Sequence, residues 1–356
     1  MSRPRLIAFY LPQFYPTPEN DEWWQKGFTE WTNVGSAKPL FRGHYQPRVP
    51  ADLGYYDLRV PEVREEQAQL AREAGIEGFC YWHYWFAGRR LLDRVFTEVV
   101  ETGKPDYPFC LCWANHSWYQ KTWDPTKPDK LLIEQTYPGE KDYFNHFMAM
   151  LPAFKDKRYM KVNGKPIFGI FDSYRFDDFF RFRETWNRLA RDNGLEGFYF
   201  FGFSYRPNST KDILSKGYDS IINDYILEFR DSNTSIFDKL KRKLFHYPKI
   251  LYYDDYAQWV MRHYQLEEKV SPCLIPNFDH SPRSGERGVV VCDHSPQKWE
   301  RLCYDIFKIC SERDGDSNIV FLKAWNEWGE GNYLEPDLKF GHGFINATRN
   351  AIDSVK

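Results

Sequence analysis

The stretch GIEGFCYWHYWF, residues 75–86, carries the pattern from which the fold can be predicted. Gly75 closes a helical pattern, because glycine readily adopts the left-handed conformation that ends helices. Residues 78–82 are apolar at consecutive positions, which is typical of a strand covered on both faces. Polar and aromatic side chains, from His83 to Phe86, follow this strand at once. A helix, a buried strand and a polar aromatic turn therefore succeed one another.

The same succession recurs along the chain and predicts eight strands. Helical patterns separate them, and one of these begins at Pro61 and another at Ser295-Pro296, where proline suits a first helical turn. The predicted strands are Leu6–Tyr10, Gly78–Trp82, Phe109–Trp113, Ile167–Phe171, Phe198–Phe203, Ser220–Asn223, Cys273–Asn277 and Ile319–Ala324.

Eight strands alternating with helices predict the α/β class and, within it, a single TIM-type (β/α)8 barrel with long rim loops. A doubly wound open sheet is the alternative. We expect one domain over residues 1–356, with an irregular insertion around 204–271 that contains a basic segment, Lys239–Lys243.

Composition narrows the classes of function. The 48 basic and 50 acidic residues nearly balance, which argues against nucleic acid as a partner. No apolar run reaches the length of a membrane span, and the first residues lack a signal-peptide pattern, so a cytoplasmic location is expected. Seven Cys without a C-x-x-C pair predict free thiols in a reducing compartment. Aromatic residues form 19% of the chain, and since their faces stack on sugar rings, this share favours a glycan substrate.

Polar and aromatic residues are concentrated just after several predicted strands, where a parallel barrel gathers its reactive groups. Such a mixture offers a sugar both flat apolar platforms and hydrogen-bonding groups. The predicted substrate-binding residues are Tyr10, Gln13, Trp24, Glu30, Trp31, His83, Tyr84, Trp85, Trp113, Asn115, His116, Trp118, Asp279, Trp325, Asn326, Trp328 and Glu335.

Glu327 and Glu330 are the predicted catalytic residues. Glycoside chemistry uses two carboxyl groups, one protonated near neutral pH and the other ionised. Two Glu three residues apart can supply both, because the packing of Trp328 and mutual repulsion would raise the pKa of one. Glu-x-x-Glu is also common on solvated helix faces. The position of this pair, after a buried strand and between Gly329 and Gly331, disfavours such a face.

Two further patterns suggest other chemistry. Asp314-Gly315-Asp316 resembles the D-x-D of metal-dependent glycosyltransferases, but it precedes a strand, and Asp-Gly is ordinary in turns. His83, His116 and His280 would bind a metal if the rim brought them together, although hydrogen-bonding roles are more usual for buried histidines. The chain has no G-x-G-x-x-G, Walker A or G-x-S-x-G motif. We therefore expect neither a cofactor nor a metal.

The rim segments resemble those of the WbsX-type proteins, a glycosyltransferase family of cell-surface polysaccharide gene clusters that is related to glycoside hydrolase family 99, the endo-α-mannosidase-like enzymes. The matching segments are Ala8–Tyr15 (AFYLPQFY), Gly27–Pro50, Gly54–Arg59 (GYYDLR), Gly75–Phe86, Phe109–Asn115 (FCLCWAN) and Ala324–Asp337 (AWNEWGEGNYLEPD).

The resemblance to family 99 implies a (β/α)8 barrel and a retaining reaction through a 1,2-anhydro sugar. In that route Glu327 would deprotonate the 2-hydroxyl of the substrate, and Glu330 would be the general acid. Similar proteins often have Glu where this chain has His116, so the sugar and the reaction stay open. Hydrolysis or transglycosylation of a polysaccharide or its precursor is the leading hypothesis. The alternatives are a glycosyltransferase of O-antigen or capsule assembly and a non-catalytic glycan-binding barrel.

Overall fold

The structure is a computed structural model, and it describes residues 2–121, 128–205, 209–232, 242, 244, 246–264 and 266–355. At its centre lies a closed barrel of eight parallel strands. The barrel strands are β1 (Arg5–Tyr10), β2 (Gly78–His83), β3 (Phe109–Trp113), β4 (Lys165–Ile170), β5 (Tyr199–Ser204), β6 (Ser220–Asp224), β7 (Val270–Leu274) and β8 (Ile319–Leu322).

Each strand pairs with the next along the chain, and β8 pairs with β1 to close the ring. Ile319 lies opposite Arg5 in this last pair, and Ile7 lies opposite Gly78 between β1 and β2. The predicted (β/α)8 barrel is thus confirmed, and the open doubly wound sheet is not formed. All eight strands overlap their predicted ranges. The largest offset is at β7, which begins three residues before its predicted start at Cys273.

Helices connect the strands on the outside of the barrel. The helix Pro296–Cys310 begins where the Ser295 hydroxyl accepts a hydrogen bond from the amide of Lys298, and its apolar face packs on the helix Gly343–Asp353. The other helices are Pro18–Trp23, Glu30–Ser36, Pro61–Glu73, Arg94–Thr102, Glu140–Phe154, Phe179–Asp192, Thr210–Ser215, Tyr225–Ser232, Tyr253–His263 and Ser281–Ser284.

Several short strands lie outside the barrel. Lys249–Tyr252, Val289–Cys292 and Phe278–Asp279 form a small sheet. The remaining pairs are Trp85–Phe86 with Arg89–Arg90, Trp118–Gln120 with Lys130–Ile133, Asn326–Glu327 with Asn332–Tyr333, and Lys161–Val162 with β4.

The range 204–271, expected to be an irregular insertion, contains both regular elements and residues outside the described part of the chain. Its described residues include β6, the helix Tyr253–His263 and the first two residues of β7. Of the predicted basic segment Lys239–Lys243, only residue 242 belongs to the described residues.

Aromatic rings fill the interior of the barrel. The ring of Phe9 stacks on Trp82 at a centroid distance of 4.8 Å, and it contacts Phe203 at 5.4 Å and Phe321 at 5.5 Å. Gly169 leaves room for this packing, because a Cβ there would overlap the Phe201 ring. The interior is therefore a packed core, and it supports the rim from below.

Cysteine thiols are part of the same core. Cys80, Cys110, Cys112 and Cys273 lie on barrel strands and are buried, as are Cys303 and Cys310 on a helix, while Cys292 is half-buried. Burial raises the pKa of the Cys80 and Cys273 thiols well above the usual value. Across the described part of the chain, no helix is long and apolar enough to cross a bilayer.

Candidate active site

A cavity of about 270 Å³ opens at the carboxyl ends of the barrel strands. Its position is that of the active site in barrels of this kind. The lining residues are Leu11, Gln13, Glu30, Trp82, Tyr84, Ala114, His116, Trp118, Phe171, Arg283, Lys323, Glu327 and Glu330.

The segment after β8 places both predicted catalytic glutamates in this cavity. Asn326 fixes the start of the segment, because its side-chain amide accepts from the amide of Leu11 at 2.8 Å and donates to the Leu11 carbonyl at 3.1 Å. The chain then makes a single 3₁₀ turn, Trp328–Glu330, and reverses at Gly331, whose φ is +53°. This tight reversal directs Glu327 and Glu330 to the same side.

Gly329 lets a third carboxylate approach the pair. A Cβ at this position would overlap Oε2 of Glu30 and lie 2.9 Å from Nε of Arg283. Glu30 itself begins the helix Glu30–Ser36, which is capped by the hydroxyl of Thr29. Glycine between the two glutamates is therefore required by close packing.

One guanidinium group holds all three carboxylates. Arg283 donates from Nη1 to Glu330 Oε1 at 2.8 Å, from Nη2 to Glu327 Oε1 at 3.1 Å, and from Nε to Glu30 Oε2 at 3.1 Å. The three carboxylate side chains are at most 18% exposed. Their charges exceed that of the single Arg283 cation, so this side of the cavity is acidic.

Two more basic groups stand near the pair. Lys323, at the end of β8, donates to Asp224 Oδ2 at 2.7 Å, so its charge is already matched by a buried carboxylate. His280 Nε2 lies 3.8 Å from Glu330 Oε1, and its Nδ1 is 2.7 Å from the Ser284 hydroxyl. Burial lowers the pKa of His280, which favours the neutral ring.

These surroundings separate the pKa values of the two glutamates. Burial, together with the charge of Glu330, raises the pKa of Glu327 to about 7. Burial also acts on Glu330, but the charges of Arg283 and Lys323 outweigh it and hold its pKa below the usual value. Glu327 is therefore the member of the pair that takes up a proton first as the pH falls.

The opposite wall of the cavity is aromatic. Trp82 contacts Phe171 at a centroid distance of 5.5 Å, and Tyr84 contacts Trp118 at 5.1 Å. His116 packs on Phe171 at 5.3 Å, and burial lowers its pKa, so a neutral imidazole faces the cavity. An acidic wall faces an aromatic wall, an arrangement that suits a ring with hydroxyl groups and apolar faces.

The structure places the predicted substrate-binding residues in three kinds of position. Those that line the cavity are Gln13, Glu30, Tyr84, His116 and Trp118. Trp24 lies further out, in neighbouring recesses of the surface.

The other predicted binding residues are packed beneath the rim. Glu335 is buried, which raises its pKa to about 7, and it accepts hydrogen bonds from Trp328 Nε1, Tyr56 and Gln67. Tyr10 donates to Gln67 at 2.7 Å in the same network. Trp31, Trp325 and Asn326 lie in this region as well.

A second buried group lies under the rim on the far side. His83 Nε2 meets His146 Nε2 at 2.7 Å, and the Trp85 ring stacks on His146 at 4.6 Å. Trp113 donates to the carbonyl of Trp85 at 3.1 Å. Asn115 accepts from the amide of residue 172 at 2.7 Å.

Asp279, also a predicted binding residue, is buried in a network of its own. It accepts from Gln46 at 2.7 Å, lies 2.8 Å from His44 Nε2, and faces Arg48 at 3.8 Å. These contacts anchor the residues that precede Arg283.

Neither the three histidines nor the Asp-Gly-Asp motif forms a metal site among the described residues. His83, His116 and His280 have the separate environments described above, and the described part of the chain contains no group of three metal-ligating side chains. Asp316 lies at the amino ends of the strands, where its carbonyl accepts from Arg5. It is therefore at the end of the barrel opposite the cavity.

Six cavity residues were not among the predicted site residues: Leu11, Trp82, Ala114, Phe171, Arg283 and Lys323. Lys323 could have been found from its place at the end of a predicted strand. Arg283 gives no such local signal, since its partner Glu30 is 253 positions away.

Comparison with known proteins identifies the chain's relatives. The family model described as "Glycosyltransferase WbsX" matches residues 6–348. Two proteins of Xanthomonas campestris pv. campestris, both named uncharacterized protein WxcX, are 36% identical over 358 residues. The alignment covers 98% of this chain and 49% of each relative, so the chain spans about half the length of these proteins.

Solved structures share the fold. A GH99 endo-alpha-mannosidase from Bacteroides thetaiotaomicron has a TM-score of 0.58 at 14% identity, covering 98% of this chain and 96% of that chain. A glycoside hydrolase-like protein has a TM-score of 0.64 at 13% identity, covering 99% and 94%. With the barrel, the match to the family model shows that the chain belongs to the WbsX glycosyltransferase family and is a carbohydrate-active enzyme.

Proposed function

We propose that this chain breaks and re-forms glycosidic bonds of a polysaccharide or its precursor, with retention of configuration, through the carboxyl pair Glu327 and Glu330. One observation carries the proposal: both carboxylates meet on Arg283 in a cavity whose facing wall is aromatic. Retaining enzymes need a proton donor and a second carboxylate close together.

The proposed reaction passes through a 1,2-anhydro sugar. The 2-hydroxyl oxygen attacks C1 while Glu327 takes its proton, and the bond from C1 to the leaving oxygen breaks as Glu330 protonates that oxygen. Water or a sugar hydroxyl then gives its proton to Glu330 and attacks C1. The C1–O2 bond opens, and O2 recovers its proton from Glu327. No enzyme nucleophile is consumed, and the protein returns to its starting ionisation state.

The pKa values of the two glutamates support the reverse assignment, in which Glu327 is the general acid and Glu330 is the base. The resemblance gives the general acid to Glu330, whereas Glu327 has the higher pKa of the pair, about 7. For the first assignment, the proton must move from Glu327 to Glu330 when substrate contacts the Arg283 side of the cavity. Leaving-group dependence of variants, described in the Discussion, distinguishes the two assignments.

A glycosyltransferase that uses a nucleotide sugar is the second candidate, and the family description favours it. The charge of the cavity disfavours it: three carboxylates share Arg283, and Lys323 is paired with Asp224. A diphosphate would be repelled by such a wall. A clear rise in Tm with any nucleotide sugar would favour the transferase.

The direct test is release of fluoride from a panel of glycosyl fluorides, followed with a fluoride electrode. α-Mannosyl fluoride comes first, since one protein of the same fold is an endo-alpha-mannosidase. The β-fluorides of glucose and galactose, in which the 2-hydroxyl is likewise trans to the fluoride, complete the panel. Release that depends on Glu327 and Glu330 supports the proposal. A chain that releases no fluoride from any of them, yet binds glycans, would be a non-catalytic barrel.

A further inference from the structure

A second recess lies next to the cavity, with a volume of about 330 Å³. We call it the outer recess and define it by Trp24, Phe28, Asn33, Tyr119 and Lys121. It is continuous with the cavity, because Gln13, Glu30 and Arg283 line both spaces. Whatever binds in the cavity can therefore extend into the outer recess without a change of fold.

The outer recess has a preformed aromatic platform. Trp24 stacks on Phe28 at a centroid distance of 5.6 Å and an interplanar angle of 26°. Trp24 is 43% exposed and Tyr119 is 49% exposed, so large ring faces remain open to solvent. The backbone between the stacked rings is held, because the amide of Phe28 donates to the Gln25 carbonyl and that of Gly27 to Asp21. Open, fixed aromatic faces beside polar groups suit a pyranose ring.

The position of the outer recess relates it to one side of the scissile bond. Its lining includes His280 and Ser284 together with Arg283, which also lines the cavity. His280 and Arg283 are the groups that lie against Glu330, at 3.8 Å and 2.8 Å. The recess thus opens from the side of the cavity on which Glu330 would exchange a proton with the leaving or attacking oxygen.

We infer that the outer recess binds the sugar ring that leaves or accepts the glycosyl group, and that it directs the enzyme toward transfer to a sugar rather than to water. This inference rests on the proposed function. With a glycosyl fluoride as donor, the first step forms the 1,2-anhydro sugar and releases HF. A hydroxyl of the sugar in the recess then gives its proton to Glu330 and bonds to C1, while the C1–O2 bond opens and O2 recovers its proton from Glu327. The net exchange is glycosyl fluoride plus sugar alcohol to glycoside plus HF.

The test measures two products of one reaction. The protein is incubated with the fluoride that it consumes best and with the methyl pyranosides of mannose, glucose, galactose and N-acetylglucosamine as acceptors. Released fluoride and the new disaccharide are quantified together. We expect transfer with at least one acceptor, and we expect Trp24→Ala to lower the ratio of disaccharide to fluoride by about tenfold, the loss of one aromatic contact. Trp24→Phe should restore most of the ratio.

The control is Phe180→Ala, which removes a ring that is 65% exposed on the helix Phe179–Asp192, away from the recess. It should leave the ratio unchanged. The inference is overturned if no acceptor is used, or if Trp24→Ala and Phe180→Ala give the same ratio while fluoride is still released. Absence of fluoride release from every donor would instead refute the proposed function, and this inference with it.

Discussion

Gly329 separates the two proposed catalytic glutamates and has no space for a side chain. Gly329→Ala would push the added methyl group into the carboxylate of Glu30 and against Arg283. We expect a loss of about 1–3 kcal/mol in the free energy of unfolding, the usual cost of overpacking, together with reduced turnover. Urea unfolding and fluoride release measure the two effects.

Gly35 provides the matched control for this substitution. It is exposed in the helix Glu30–Ser36, and an added Cβ would meet no atom within 4 Å. Gly35→Ala should therefore raise stability by about 0.5–1 kcal/mol and leave turnover as it is. Equal effects of the two substitutions would contradict the packing argument.

Glu327 and Glu330 are distinguished by the leaving group of the substrate. If Glu330 is the general acid, Glu330→Gln lowers turnover of a glycoside with a poor leaving group by roughly 10²–10⁴-fold. A fluoride needs little protonation and should be affected much less. Glu327→Gln should impair both substrates, because activation of the 2-hydroxyl is needed whatever departs.

The opposite pattern, with Glu327→Gln sparing the fluoride, would assign the acid to Glu327, as the pKa order of the free protein suggests. Removal of the 2-hydroxyl from the substrate is the companion experiment. Turnover of such a 2-deoxy fluoride at the normal rate would exclude the anhydro-sugar route. Full activity of both variants on both substrates would refute the carboxyl pair.

At the scale of the element, the segment from Phe278 to Ser284 carries Arg283 to the carboxylates. This segment is anchored by the buried Asp279. Burial disfavours the charged carboxylate, but His44, Arg48 and the Ser281 amide stabilise it more strongly, so the pKa of Asp279 lies below the usual range. Asp279→Asn leaves the buried Arg48 without this partner. We expect a loss of about 3–5 kcal/mol in unfolding free energy and lower turnover, since the segment positions Arg283.

Asp293→Asn is the control for the anchor, because its side chain is 67% exposed and pairs only at the surface with Lys298. It should change stability by no more than about 0.5 kcal/mol. Asp279→Asn with unaltered stability would show that the network does not anchor the segment.

The elements were predictable from sequence where burial on both faces leaves a continuous apolar run. The run Phe109–Trp113 matches its strand without any offset. The predicted strand Cys273–Asn277 begins after the true start of β7, because β7 contains Pro272, which lacks an amide proton and argues locally against a strand. Apolar residues from Ile275 then extended the prediction beyond its true end at Leu274.

The site was predictable only in part, because local sequence does not show which side chains meet in the cavity. Rim position and residue type pointed to Glu327, Glu330, Glu30 and His116, which do line the cavity. Residue type does not tell a ring that lines a cavity from one that packs beneath it, as Trp82 and Trp85 show. Contacts across the whole chain, such as that between Arg283 and Glu30, have no local pattern at all.

At the scale of the whole molecule, buried histidines make stability depend on pH. Burial lowers the pKa of His83 to about 3 and that of His146 further below its usual value, so both are neutral in the fold. In the unfolded chain they take up protons near pH 6.5. The contribution of each histidine to the free energy of unfolding is thus fully present above pH 6.5. It is lost as the pH falls, by about 1.4 kcal/mol per pH unit.

Glu327 and Glu335 act in the other direction, because their pKa values of about 7 exceed those of the unfolded chain. A comparison of variants isolates the histidine contribution. Between pH 6 and pH 4.5, the unfolding free energy of His146→Gln should fall less steeply than that of the unmutated protein, by about 1.4 kcal/mol per pH unit. Urea titrations at several pH values measure the slopes, and parallel slopes would contradict the argument.

The rate at which the thiols buried in the barrel react with a reagent reports how often the barrel opens. A thiol reagent in excess can reach Cys80, Cys110, Cys112 and Cys273 only when neighbouring strands separate, whereas the half-buried Cys292 needs no such event. Labelling should therefore begin with one fast modification, at Cys292, and the four strand thiols should follow at the rate at which the ring of strands comes apart. Mass spectrometry of the modified chain would count these events without any introduced probe, and a tight-binding glycan should slow every step except the first.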